Sequence, residues 1–231
     1  MRASTPILLS LLATPRAPVA DLVATLRERT GAAHVRLESL PTMRRLLADD
    51  LTPAEYGLIL ARMAAVVLPL DAWLAAHAQD PLRLARPRTP LLLGDLEALA
   101  EVPEPPAAGV PAMLARLATP AQRAGAVYVL EGSSLGGQVI LRHLLARFGE
   151  PARGCAAYFD PNGVDRGRVW RDVLARLRTV SGLAHAEVVD GALAVFEAMH
   201  AAMRADGDGA STAAVRRGGC PFARLARLFG R

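Results

Sequence analysis

The chain has 231 residues, of which 52% are apolar and 21% are charged, so it is long enough for one globular domain with a buried core. Its 27 basic and 22 acidic residues give a net charge of +5, and every basic residue is an arginine. A surface of that sign suits an anionic ligand or an acidic partner. Nucleic-acid binding is disfavoured, because only 4% of the residues are aromatic and no basic run is interleaved with them.

The N-terminal segment, residues 1–18, is predicted to be a disordered leader. A short apolar run follows a single arginine, as in a weak secretory signal, but prolines follow it at once. No stretch approaches the roughly 18 consecutive apolar residues that a membrane span requires. Two cysteines, Cys155 and Cys220, do not make a disulfide framework. We therefore expect a soluble cytoplasmic protein.

The first two helices have clear boundary signals. One helix is predicted from about residue 19, with Asp21 as an early or capping acid and Pro41 ending or bending it. Thr52-Pro53-Ala54-Glu55 combines an N-cap threonine, a proline at N1 and a glutamate at N3. This signal predicts a long amphipathic helix that runs to about Gln79.

Later segments continue the helical pattern. A short helix is predicted around residues 91–100, between two proline-rich loops. Thr119-Pro120-Ala121-Gln122 repeats the start signal and opens another long helix. Two more helices are predicted near residues 165–179 and 184–204, and no alternation of period two is sustained.

The chain is therefore predicted to be all-α. The helical domain spans residues 19–205, and residues 206–231 are predicted to form a flexible basic tail.

The long helix opened at Thr119 contains the stretch YVLEGSSLGGQVI, residues 128–140. Its GSSLG core fits G-x-S-x-G, the nucleophile elbow of serine hydrolases, with Ser134 as the nucleophile. That elbow requires a strand before it and a parallel sheet around it. Nothing else in the sequence supplies such strands, so a serine hydrolase remains a remote alternative to a glycine-thinned helix.

Three glycines in a helix interior need an explanation, because each costs about 1 kcal/mol relative to alanine. Gly132 and Gly136 are four residues apart and share one face, with Gly137 beside them. Such a face lets another group approach the helix backbone closely. The group is either a second helix at a tight crossing or a planar ligand.

A planar ligand with a metal needs an axial base opposite that helix, and the chain has five histidines. His34 is distinguished by Glu38 at i+4, which can accept the second imidazole N–H and so fix the tautomer of a ligating histidine. Arg27, two turns earlier on the same face, suits an anionic edge of the same ligand.

Two segments, RERTGAAHVRLES at residues 27–39 and YVLEGSSLGGQVI at residues 128–140, together resemble the haem oxygenase family. They are most similar to the bacterial biliverdin-producing branch often paired with bacteriophytochromes, as is RTPLLLGDLEAL at residues 88–99. The resemblance covers about residues 20–205. It implies a single-domain helical fold with haem between a proximal helix carrying His34 and a distal helix kinked at the three glycines.

The resemblance also implies roles for polar residues. Arg27 matches a basic residue that meets one haem propionate, and Arg176 or Arg178 matches a later contact with the second. In the mammalian-type motif an aspartate follows the first distal glycine and organises water near bound oxygen. Here that position is Ser133, as in several bacterial members. Backbone carbonyls, Ser133 or other groups are left as alternative holders of that water.

The implied activity is oxidative cleavage of haem to biliverdin, iron and carbon monoxide, with haem as both cofactor and substrate. It requires O2 and electrons from a ferredoxin- or reductase-type donor, and a bacteriophytochrome is an expected recipient of biliverdin. The catalytic groups implied are Gly132, Ser133, Gly136 and Gly137, and the metal ligand is His34. No nucleic acid or membrane partner is expected.

Two alternatives share the helical fold. One is a haem-binding or haem-sensing protein that does not degrade haem, with Ser133 marking the loss of catalysis. The other is the helical relative that cleaves thiamin-like compounds, which needs a cysteine nucleophile beside acids, whereas Cys155 is predicted in a loop and Cys220 in the tail. Cys220-Pro221 also resembles a haem-regulatory dipeptide, against the simpler interpretation of an exposed tail thiol.

Overall fold

A computed structural model describes residues 21–179 and 185–204, and within these ranges every regular element is helical. The predicted all-α fold is confirmed. The predicted leader, the predicted tail and Cys220 lie outside the described residues. The α-helices described are α1 (Leu22–Glu38), α2 (Pro41–Arg45), α3 (Pro53–Ala76), α4 (Thr89–Ala98), α5 (Val110–Ala115), α6 (Pro120–Phe148), α7 (Arg166–Thr179) and α8 (His185–Arg204). Between α6 and α7 the chain forms short 3-10 turns at Glu150–Cys155, Ala157–Phe159 and Gly163–Asp165.

The helix starts follow the capping signals in the sequence. The Asp21 carboxylate accepts a hydrogen bond from the Val23 amide at 3.1 Å, at the start of α1. At α3, the Thr52 hydroxyl accepts from the Glu55 amide at 3.2 Å, and the Glu55 carboxylate accepts from the Thr52 amide at 2.9 Å. Thr119 forms the same reciprocal pair at α6. Each box satisfies two amide donors that the helix itself leaves unpaired.

Helix α3 forms the centre of the core. It carries thirteen buried residues along its length, including Tyr56, Leu60 and Val67. The helix is long and apolar enough to cross a membrane, contrary to the expectation from sequence, but 61% of its most apolar window is buried inside this structure. The apolar character of α3 is thus accounted for by burial against other helices.

Helices α6 and α8 cross at a contact between two glycines. A Cβ added to Gly125 would overlap the Val188 carbonyl oxygen, and a Cβ added to Gly191 would overlap the Gln122 carbonyl oxygen. Only a residue without a side chain lets two helix backbones come this close. The tight crossing considered for the GSSLGG segment is therefore found two turns earlier in α6.

Helix α8 packs against both α1 and α6, and α7 also packs against both. Helices α1 and α6, which carry the two sequence motifs, thus have the same two neighbours, α7 and α8. This arrangement brings the motifs to one region of the molecule, although they are about 100 residues apart in sequence.

A buried carboxylate joins α4 to the 3-10 turns. Asp95 is 2% exposed and accepts hydrogen bonds from the amides of Ala157 and Tyr158 at 2.9 and 2.8 Å. Burial raises the pKa of Asp95 from 3.8 to about 6, against the lowering effect of the two hydrogen bonds. Since the folded pKa exceeds the unfolded one, ionisation of Asp95 weakens the fold as the pH rises between these values.

Replacement of this carboxylate gives a pH-dependent prediction. The wild type should lose roughly 3 kcal/mol of unfolding free energy relative to Asp95→Asn between about pH 4 and about pH 6. At higher pH the difference between the two proteins should stay constant. Denaturant unfolding of both proteins across that range measures the difference. Asp172→Asn, on an exposed side chain, is the control and should show no such trend. A wild-type-to-variant difference that is independent of pH would contradict the prediction.

Candidate functional site

His34 projects from α1 beside Glu38, as the sequence spacing predicts. The His34 Nε2 atom lies 3.5 Å from Glu38 Oε1, and the two side chains are 54% and 61% exposed. That distance is too long for a strong hydrogen bond, so the pair is a loose electrostatic one. The imidazole packs edge-on against Phe196 of α8, with ring centroids 5.8 Å apart. One ring nitrogen thus faces the carboxylate, which leaves the other for a ligand.

Two other histidines are already engaged by the backbone. His77 Nδ1 lies 2.8 Å from the Trp73 carbonyl oxygen, and His143 Nε2 lies 3.1 Å from the Ala48 carbonyl oxygen. Within residues 21–179 and 185–204, no group of three histidine, cysteine or carboxylate side chains is placed to hold a metal ion. A metal at His34 must therefore bring most of its own ligands, as an iron porphyrin does.

The three glycines of GSSLGG have three different surroundings within α6. A Cβ added to Gly136 would meet no atom within 4 Å, so this exposed part of the helix faces open space. A Cβ added to Gly132 would lie 3.3 Å from the Trp170 ring. A Cβ added to Gly137 would overlap the Phe159 carbonyl oxygen. Gly137 therefore serves close packing against a 3-10 turn, whereas Gly136 leaves the backbone open to a ligand.

The serines between these glycines are held by the helix backbone. Ser134 is 4% exposed and its hydroxyl donates to the Glu131 carbonyl oxygen at 2.6 Å. It lies inside a continuous α-helix, with no strand before it in the described part of the chain. The strand–turn–helix context of a nucleophile elbow is missing, so the serine hydrolase alternative is wrong.

Cys155 is also unsuited to nucleophilic chemistry. It is fully buried in a 3-10 turn, and burial together with the charge of Asp95 raises the pKa of its thiol to about 12. A thiol of that pKa has almost no thiolate at neutral pH. The thiamin-cleaving alternative therefore lacks a nucleophile at Cys155.

An aromatic pair lies near the start of the GSSLGG segment. Burial raises the pKa of Tyr128 on α6, and the positive charge of Arg27 on α1 acts in the opposite direction. The Tyr128 ring lies 5.4 Å from the Trp170 ring of α7. Trp170 in turn covers Gly132. Neither Tyr128 nor Trp170 was predicted from the sequence as a site residue.

Arg176 and Arg178 both lie exposed in the last turn of α7. Arg178 Nε is 3.8 Å from Asp21 Oδ1, at the N-terminus of α1. Arg178 therefore lies next to the N-terminus of the helix that carries Arg27. A ligand with two anionic groups at that end of the site would meet arginines from two helices.

Residues 20–205 match the family model described as "Heme oxygenase". A "Heme oxygenase" of Xanthomonas campestris pv. campestris (strain 8004) is 35% identical over 123 residues, which cover 52% of this chain and 70% of the relative. The structure of heme oxygenase from Leptospira interrogans matches with a TM-score of 0.66 at 18% identity, over 80% of this chain and 98% of that one. Heme oxygenase 2 from Chlamydomonas reinhardtii, solved without heme, matches with a TM-score of 0.65 at 20% identity, over 83% of this chain and 100% of that one.

Proposed function

Since the chain belongs to the haem oxygenase family, we propose that it cleaves haem to biliverdin, iron and carbon monoxide in the cytoplasm. Haem serves as cofactor and substrate, and O2 and electrons from a ferredoxin- or reductase-type donor complete the reaction. One observation carries the proposal. The open backbone face at Gly136 and the exposed imidazole of His34 lie on two helices that pack on the same partner, α8.

The residues of the site fit an iron porphyrin. His34 would offer one ring nitrogen to the iron, and Glu38, with Oε1 3.5 Å from Nε2, would help to orient the imidazole. When bound, the haem supplies the iron that activates O2 and the ring carbon that is oxidised. Gly136 leaves space for the porphyrin because it has no side chain, and any larger residue would fill that space.

The anionic edge of haem has a basic counterpart in this chain. Arg27 on α1 would meet one propionate, and Arg176 or Arg178 on α7 would meet the second. Guanidinium groups suit carboxylates because they offer several donors in a fixed plane. Propionates held in this way would set which part of the ring points inward.

The open face of α6 is its exposed side at Gly136, and Ser133 is a polar side chain on this face. Its hydroxyl donates its one proton to the Leu130 carbonyl oxygen at 2.8 Å. The oxygen is then left as an acceptor toward the site, where it can hold a water molecule. We propose that this water takes part in proton delivery during ring cleavage.

The proposed activity is tested by mixing the purified protein with haem, O2 and a reductant. We expect the Soret absorption to decay while a bilin spectrum appears and carbon monoxide is released. A stable Soret band under turnover conditions would instead support the non-degrading haem-binding alternative. Addition of an apo-bacteriophytochrome tests the proposed recipient, which should acquire the bilin as its chromophore.

Ser134→Ala separates the helical interpretation from nucleophilic chemistry. Because Ser134 is buried and bonds only the backbone of its own helix, we expect haem turnover within about threefold of the wild type. A serine-directed organophosphate should leave the protein unlabelled. Loss of turnover in a folded Ser134→Ala protein would contradict this assignment.

A further inference from the structure

A buried ion pair lies behind the GSSLGG segment, away from its open face. Arg88 Nη2 lies 2.7 Å from Glu131 Oε2, and the two side chains are 2% and 0% exposed. The Glu131 carboxylate also accepts from the Asn162 side-chain amide at 3.1 Å and from the Ala85 backbone amide at 2.7 Å. Glu131 directly precedes Gly132, so this carboxylate is satisfied by groups from two loops at the point where the glycine segment begins.

The same guanidinium reaches the backbone of α6. Arg88 Nη2 also donates to the Leu130 carbonyl oxygen at 3.3 Å, and this oxygen is the acceptor of the Ser133 hydroxyl. Arg88 and Ser133 thus share one carbonyl oxygen as their acceptor. A shift of that carbonyl would move the hydrogen-bond acceptor of the Ser133 hydroxyl.

Arg88 has one further donor without a partner. Its Nη1 atom is buried and forms no hydrogen bond with any described residue. A buried guanidinium donor is costly to leave unpaired, so the position of Arg88 is not explained by its hydrogen bonds alone. Tyr158 lies near enough for the charge of Arg88 to oppose the burial that raises its pKa, which adds a second polar group beside the cluster.

We propose that Arg88 and Glu131 are positioning residues for the haem-facing side of α6: their buried ion pair fixes the Leu130 carbonyl and, through it, the Ser133 hydroxyl. This inference rests on the proposed function. The proposed role of the ion pair explains how Ser133 can hold a water molecule without the aspartate that the mammalian-type motif has at this position. The Ser133 hydroxyl is held in one orientation by the Arg88 guanidinium, which does not face the site.

An ion pair of this kind is not explained by stability alone. Buried pairs are often no more stabilising than apolar residues of the same volume, whereas removal of one partner leaves a buried charge uncompensated. A guanidinium holds its donors in a rigid plane at the end of a long side chain, whereas a lysine ammonium is a compact charge on a flexible stem. Arg88→Lys therefore keeps the charge but no longer fixes a donor at the Leu130 carbonyl oxygen.

The matched control is Arg123, which lies on α6, the helix that carries Leu130 and Ser133. It is also buried, pairs with Asp80 and donates to the carbonyl oxygens of Leu117 and Ala118, but it lies nine residues before Gly132. Arg123→Lys therefore disturbs a buried arginine with a carboxylate partner and carbonyl acceptors, without touching Leu130 or Ser133.

The first readout needs no haem. Hydrogen–deuterium exchange of the haem-free protein should be roughly tenfold faster across residues 130–137 in Arg88→Lys, and unchanged there in Arg123→Lys. With haem, Arg88→Lys should lower kcat by about tenfold while the Kd for haem changes by less than about threefold. Equal exchange rates for these amides in wild type and Arg88→Lys would overturn the proposal, even if the wild type does not turn haem over.

A double-mutant cycle with Ser133→Ala tests whether Arg88 acts through Ser133. If it does, Ser133→Ala lowers kcat by about tenfold in the wild type but by less than about twofold in Arg88→Lys. Fully additive losses would overturn the proposal. If Arg88→Lys does not fold, Arg88→Met combined with Glu131→Met leaves no unpaired charge and takes its place in both measurements.

Discussion

Gly136→Leu is expected to give a well-folded, helical protein that no longer turns haem over. A Cβ at this position meets no atom within 4 Å, and Gly136 is exposed, so we expect the protein to accommodate the leucine side chain. The substitution also improves local helix propensity by nearly 1 kcal/mol. In the haem complex, however, the side chain would occupy the open face of α6. We expect turnover to fall on the order of 100-fold, measured as bilin formation, with an unchanged or higher thermal midpoint.

Gly137→Ala is the matched comparison and should show the opposite pattern. Its Cβ would overlap the Phe159 carbonyl oxygen, so we expect a loss of about 1–3 kcal/mol in unfolding free energy. The two variants would then show that Gly136 serves ligand access and that the adjacent Gly137 serves packing. Normal turnover in Gly136→Leu would show that the glycines serve only packing and that haem binds elsewhere.

His34→Ala is expected to remove the histidine-type haem spectrum and nearly all turnover. The exposed pair with Glu38 is worth less than about 1 kcal/mol, so the fold should be unaffected. Haem titration monitored at the Soret band, with added imidazole to restore the axial nitrogen, measures the effect. His200→Ala, on a half-buried side chain of α8, is the control and should keep the wild-type spectrum. An unchanged spectrum in His34→Ala would contradict the assignment of His34 as the iron ligand.

Local signals in the sequence predicted most of the helix boundaries. The capping boxes at Thr52 and Thr119 placed the starts of α3 and α6 correctly, because the partners are three residues apart. The predicted end of α3 at Gln79 was three residues too late, since helix ends carry weaker signals. The proximity of His34 to Glu38 was likewise predictable, because one helical turn brings them together.

Contacts between distant segments were not predictable in this way. Arg88 and Glu131 are 43 residues apart, and neither has a sequence signature that distinguishes a buried pair from two solvated charges. The crossing at Gly125 and Gly191 was missed because both are single glycines outside any motif. The differing roles of Gly136 and Gly137 depend on Phe159, whose position only the folded chain defines.

Helix α8 supports the two helices of the proposed site unequally. Phe196 packs against the ring of His34 itself, whereas Gly191 contacts α6 at the Gln122 backbone, well before the glycine segment. The glycine segment is instead covered by Trp170 of α7 and by the turn at Phe159. The two sides of the site therefore rest on different neighbours, and entry of a large flat substrate can be accommodated by a movement of the glycine segment that leaves the contact between α8 and His34 in place.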